Sequence, residues 1–211
     1  MRLPVRALIA LFLAAFPVTS AFAFERDGRA FSIYWGQGVD SDLLKMPGDL
    51  LRGDLVFESS YLIAASYIEP LSTPAPIQTV FDWLRVPGTS TAVEGIVVKH
   101  YGLQRNWEVN LAYLLRFQGW DLGPISAKPG IGIGLSYAFG TPSYEDGPID
   151  DPERRYRFQS YQAYEIEWGL ARQPGVSLFT RVHHRSGIYG LIAPRRVGSN
   201  FMTVGLRFHQ W

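Results

Sequence analysis

His184, Ser186 and Asn200 are the residues of this chain whose types and spacing could do chemistry. A serine hydroxyl attacks a carbonyl carbon, an imidazole takes the proton it sheds, and a third group on the far ring nitrogen fixes the tautomer. Here an amide would fill the third role. It orients the ring but cannot stabilise the imidazolium as a carboxylate does. Gly187 follows the serine and, with neighbouring backbone amides, is the candidate oxyanion hole. Arg195 and Arg196 carry forked guanidinium groups suited to lipid phosphates, although a solvated loop is an equal reading. His-x-Ser alone has little specificity, so the weight falls on the elements that place it.

Those elements are strands. Across 106–117 the odd positions carry Trp107, Val109, Leu111, Tyr113, Leu115 and Phe117, and the even ones include Asn106, Glu108, Asn110 and Arg116. This is period-two alternation. Across 131–139 large apolar residues alternate with Gly132, Gly134, Ser136 and Ala138. Segments 55–67 and 156–170 alternate as well, and weaker runs at 31–35, 92–101, 176–186 and 200–211 bring the count to eight. Eight is the smallest common outer-membrane barrel, and strands of about ten residues suit a tilted bilayer crossing. The expected fold is all-β: an eight-stranded antiparallel up-and-down transmembrane β-barrel. A soluble ligand-carrying barrel with its apolar face turned inward would alternate alike. Aromatic strand ends and a polar second face favour the membrane.

Phase then places the three residues. In the seventh run Val176, Leu178 and Val182 take the apolar side, and the same parity gives His184 and Ser186. In the eighth, Met202, Val204, Leu206 and Phe208 take it, and the parity reaches back to Asn200. All three are expected on the lipid face, at the outer end of adjacent strands, where polar groups are costly. The plainer reading puts His184 in an interfacial belt and lets Ser186-Gly187 end a strand. His183 and Arg185 have the opposite parity and join Arg181 in the lumen, where Glu165 and Glu167 can neutralise them. His100 and His209 stand alone without metal spacing, so no metal or other cofactor is expected.

Arg2, Arg6, an apolar run over 7–16 and Ala21-Phe22-Ala23 read as a secretory signal, 1–23, cleaved before Phe24 to leave 24–211 as one barrel domain. Losing two arginines takes the formal charge from +1 to −1, and a near-neutral chain gives no case for nucleic acid. The chain has no cysteine, hence neither disulfide nor thiol chemistry. With both termini inside, the outer connections are 37–53, 102–105, 140–155 and 187–199. The inner ones are 69–91, 121–129 and 171–175, the first long and with a short helix at 77–84. The acidic stretch 144–153 reads as a solvated loop.

The leader, the strand count, the terminal Trp211 and above all 184–211 resemble the outer-membrane lipid A 3-O-deacylases of the PagL type. The resemblance implies a serine-type carboxylic ester hydrolase that removes an ester-linked 3-hydroxyacyl chain from lipopolysaccharide without a metal. Ser186 would be the nucleophile and His184 the base. The family's acidic residue on the last strand has no identical counterpart in Gly198-Ser199-Asn200, and its asparagine after the serine is Gly187 here. The partner so implied is lipid A in a bacterial outer membrane; a homodimer is left open. Readings of other kinds are a non-catalytic structural or adhesive barrel and a lipid A acyltransferase, which needs a second acceptor.

Overall fold

The alternation along each strand becomes the two faces of one closed sheet. The computed structural model describes residues 28–84, 86, 88–148 and 150–210; the expected leader and Trp211 lie outside the described residues. Eight long strands form the wall: β1 (Ala30–Asp40), β2 (Val56–Leu71), β3 (Ser90–Gly102), β4 (Trp107–Arg116), β6 (Ile125–Phe139), β7 (Phe158–Leu170), β8 (Gln173–Ser186) and β9 (Gly198–His209). Between β4 and β6, the two-residue β5 (Trp120–Asp121) adds a rung at the inner rim. Every long strand pairs antiparallel with its neighbours, β4 with β6, and β9 returns to β1 from Ala30↔His209 to Gly38↔Phe201. Closure leaves no unpaired edge. The eight-stranded antiparallel barrel expected from the sequence is the fold.

Two runs are longer than their alternation suggests. β6 begins at Ile125, so 125–129 is strand where an inner turn was expected. Pro129 is tolerated because its carbonyl accepts Phe117 N–H at 3.0 Å, so its missing donor faces the end of β4, where the ladder stops at Arg116↔Gly130. Likewise β8 starts at Gln173, leaving a tight turn after β7. The outer connection after β1 holds helix α1 (Met46–Arg52), closed by Gly53 at φ 76°, and the long inner connection holds α2 (Ala75–Leu84), as the sequence suggested.

Outward positions are large and apolar: Ile33 and Trp35 on β1, Trp107 and Leu111 on β4, Ile133 and Leu135 on β6, Val204 and Leu206 on β9 are all exposed. Near the outer end Trp35, Tyr61 and Tyr101 stack, with centroids 5.9 and 5.4 Å apart. Inward positions mix a small apolar layer, Tyr34, Leu62, Val98, Tyr161, Phe179 and Phe201, with charged groups that meet in pairs. Arg181 donates to both oxygens of Glu94 at 3.0 and 2.9 Å and to Glu165 at 2.6 Å. Arg207 forks onto both oxygens of Glu165 at 3.0 Å and reaches Glu167 at 2.5 Å, and Arg116 also pairs with Glu167. Glu165 thus neutralises Arg181, as parity suggested. His183 and Arg185, however, find other partners: Glu108 of β4 lies 2.8 Å from His183 Nε2 and 3.6 Å from Arg185, and Glu145 pairs with Arg185.

Two histidines that looked isolated are not. His100 Nε2 is 2.9 Å from Glu108, and His209 lies 2.9 Å from Glu167 and 3.0 Å from Ser177. Nor is the acidic outer connection wholly solvated, since Glu145 is buried in the lumen. A buried charge left alone costs several kcal/mol. Glu165→Ala removes the group shared by two buried arginines. It should lower unfolding free energy by about 3–5 kcal/mol, read by urea titration in detergent with heat-modifiable mobility. Outward Ile166→Ala should cost clearly less.

Candidate functional site

Pairing of β7, β8 and β9 sets the site. Counted across the sheet, Gln162, His184 and Asn200 stand directly opposite one another, and Ser160, Ser186 and Gly198 form the next row toward the outer rim. His184, Ser186 and Asn200 have outward parity, as expected, and all three are half-buried because two outer connections fold over them. They line an open cleft of about 850 Å³ between the β1–β2 connection and the β8–β9 connection. Arg195 and Arg196 line it too.

The imidazole and the amide are in contact. His184 Nδ1 lies 2.7 Å from Asn200 Oδ1, while Asn200 Nδ2 donates to the Ser41 carbonyl at 2.8 Å. With Nδ2 turned to Ser41, the oxygen faces the ring, so Nδ1 carries the proton and Nε2 keeps its lone pair. That is the tautomer a general base needs. Ser186 shares the cleft but has no hydrogen bond to His184; its Oγ accepts Ile188 N–H at 3.1 Å. On the other side of the row, Tyr164 donates to Gln162 Oε1 at 2.8 Å, and Ser160 donates to the Ser186 carbonyl at 2.8 Å.

The loop after Ser186 is tightly held. Gly187 N–H donates to Val197 O at 3.2 Å, and its carbonyl accepts Ile192 and Ala193 N–H at 3.0 and 3.2 Å. The Gly187 amide is therefore engaged within the loop, and the amide that faces the serine oxygen is that of Ile188. A Cβ on Gly187 would lie 2.2 Å from Ala193 O, which explains the glycine. Ile188, Tyr189 and Arg196 have φ of 47°, 51° and 68°, and such left-handed non-glycine residues store about 1–3 kcal/mol each.

The opposite jaw is acidic. Burial pushes the Tyr144 phenol and the Asp146 carboxyl up from their ordinary values, with Glu58 adding to the first and Asp40 to the second. Lys45, 2.5 Å away, holds the Asp42 carboxyl below the usual carboxylate range. No group of three or more His, Asp or Glu among the described residues has the geometry to hold a metal ion. Ser41 and Gln162 escaped sequence reasoning. The first acts through its backbone and meets Asn200 only in the closed sheet, and the second is an unremarkable amide on an alternating strand.

The sequence matches no protein-family profile and no curated protein. Solved structures similar to this chain include the outer membrane enzyme PagL, with TM-score 0.53 and 12% identity over 86% of this chain and 99% of that one. Others are Neisserial surface protein A (NspA), at 0.45 and 14% over 87% and 97%, and LpxR from Salmonella typhimurium, at 0.36 and 7% over 88% and 69%. At 12% identity the likeness to the outer membrane enzyme PagL is one of fold.

Overpacking a tight contact costs about 1–3 kcal/mol. Gly187→Ala should therefore loosen the 187–197 loop, and trypsin cleavage at Arg195 and Arg196 should quicken on the order of tenfold, with heat-modifiable mobility retained. Unchanged cleavage would show that the loop absorbs a methyl group at its base.

Proposed function

We propose that this chain is an outer-membrane lipid A deacylase that hydrolyses an ester-linked 3-hydroxyacyl chain of lipopolysaccharide with Ser186 and His184. The observation that carries the reading is the His184 Nδ1 to Asn200 Oδ1 contact of 2.7 Å, made on the outward face where it opens onto a cleft. The exposed apolar belt, the outer aromatic stack and the fold shared with the outer membrane enzyme PagL support the membrane placement. A leader over 1–23 would export the chain.

In the reaction Ser186 Oγ turns from the Ile188 amide toward the substrate and attacks the ester carbonyl as His184 Nε2 takes its proton. The tetrahedral oxyanion lies toward the backbone amides that follow the serine, Ile188 nearest among them and Gly187 only once it leaves Val197. Collapse breaks the ester bond, the sugar hydroxyl leaves with the proton from Nε2, and an acyl-serine remains. Water, deprotonated by the same nitrogen, attacks that ester, and the free 3-hydroxy fatty acid departs as Ser186 recovers its proton. Asn200 holds the ring but adds no charge, so the enzyme is slower than one with a carboxylate there. Arg195 and Arg196, on the cleft wall, would meet the phosphates of the glucosamine backbone. No cofactor enters the scheme.

The test is a mass spectrum of lipid A from cells without their own deacylases, expressing the native chain or Ser186→Ala at equal heat-modifiable levels. Loss of one hydroxyacyl mass is expected with the native chain. The variant should be slower on the order of 10³-fold or more. Lipid A left intact by both would sink the hydrolase reading in favour of a non-catalytic barrel, and a gained acyl mass would indicate an acyltransferase.

A further inference from the structure

We propose that Asp49 is a positioning residue for His184, acting through Ser41 and Asn200; the proposal rests on the hydrolase reading for its kinetic part alone. An amide differs from a carboxylate in having two unlike ends. With Oδ1 toward the ring it accepts Nδ1–H and leaves Nε2 basic. Turned over, it offers N–H to Nδ1, moves the ring proton to Nε2, and removes the base. Something must therefore choose which end faces the histidine.

The structure contains a hydrogen-bonded line that does so. Asn200 Nδ2 donates to Ser41 O at 2.8 Å, across 159 residues of sequence. Ser41 lies just after β1, and its own Oγ donates to Asp49 Oδ2 at 2.6 Å. The other oxygen of Asp49 accepts Arg52 Nη2 at 2.5 Å, and Arg52 Nε reaches Asp54 at 3.0 Å. Asp49 is fixed in turn by α1, where its amide donates to Lys45 O at 3.0 Å and its carbonyl accepts Asp54 N–H at 2.8 Å. Both carboxylate oxygens are engaged, so the Ser41 peptide is held from outside the strand with its carbonyl facing Asn200. A carboxylate three hydrogen bonds from the ring thus orients it without lending its charge.

Two readouts test this on the full barrel in detergent. Histidine labelled with ¹⁵N reports the ring tautomer directly, with His184 assigned by the signal lost in His184→Gln. The native protein should show Nδ1 protonated, and Asp49→Ala a mixture of tautomers. Adding Asn200→Asp to Asp49→Ala should return Nδ1 to the protonated donor state, since a carboxylate accepts with either end. Against lipid A in mixed micelles, Asp49→Ala should lower kcat on the order of tenfold to a hundredfold with KM little changed, and Asn200→Asp in that background should restore it. A pure native tautomer in Asp49→Ala, or no restoration by Asn200→Asp in a heat-modifiable barrel, would overturn the proposal. If the native chain leaves lipid A untouched while the ring signals still shift with Asp49, the hydrolase reading falls and the positioning role stands.

Discussion

Every arginine that points into this barrel needs a carboxylate there, because a guanidinium sealed from solvent cannot remain unmatched. Arg181 draws on Glu94 of β3 and Glu165 of β7, and Arg207 on Glu165 and Glu167 of β7. Arg116 of β4 meets Glu167 of β7 past the one strand between them, β6. All but the Arg181–Glu165 pair, which spans the adjacent β7 and β8, tie strands that are not neighbours in the sheet, so they fix the cross-section of the barrel as well as its charge balance. Shifting one strand by a single residue would turn its carboxylates to the outside and strand their partners within.

The outward face inherits that register. On β8, Arg181, His183 and Arg185 look inward to Glu165, Glu108 and Glu145, while His184 and Ser186 look outward between them. Locking the first set places the second. The cross-strand match of His184 with Asn200 is therefore a by-product of ion pairs on the far side of the same two strands. Cation-π contacts of Arg181 and Arg207 with Phe179, at 5.2 and 4.6 Å, bind the charged layer to the apolar one above it.

Much of this was legible in the sequence. Alternation in 106–117 and 156–170 gave the faces, because one face is paired charge and the other large apolar side chains, and parity alone put His184, Ser186 and Asn200 on one side. What alternation misses is contact made across the lumen or over the rim. Glu108 read only as one of the polar positions of an alternating strand and Glu94 carried no signal, because their partners on β8 lie far along the chain. Glu145 looked like one acidic residue among several in a loop, yet it turns in to meet Arg185. Pro129 reads as a turn signal and is a strand residue, since its carbonyl alone is needed there. The Ser41 carbonyl carries no side-chain signature at all.

The seam between β1 and β9 joins the first and last of the described strands. Ser41 emerges beside the first strand, and Asn200 belongs to the last, so their 2.8 Å bond forms only when the sheet has closed upon itself. A barrel open at this seam holds every other strand pair and still lacks the oriented imidazole. Timing follows from topology: a sheet still open at this seam carries the imidazole, hydroxyl and amide but not their alignment, and gains it when β1 meets β9.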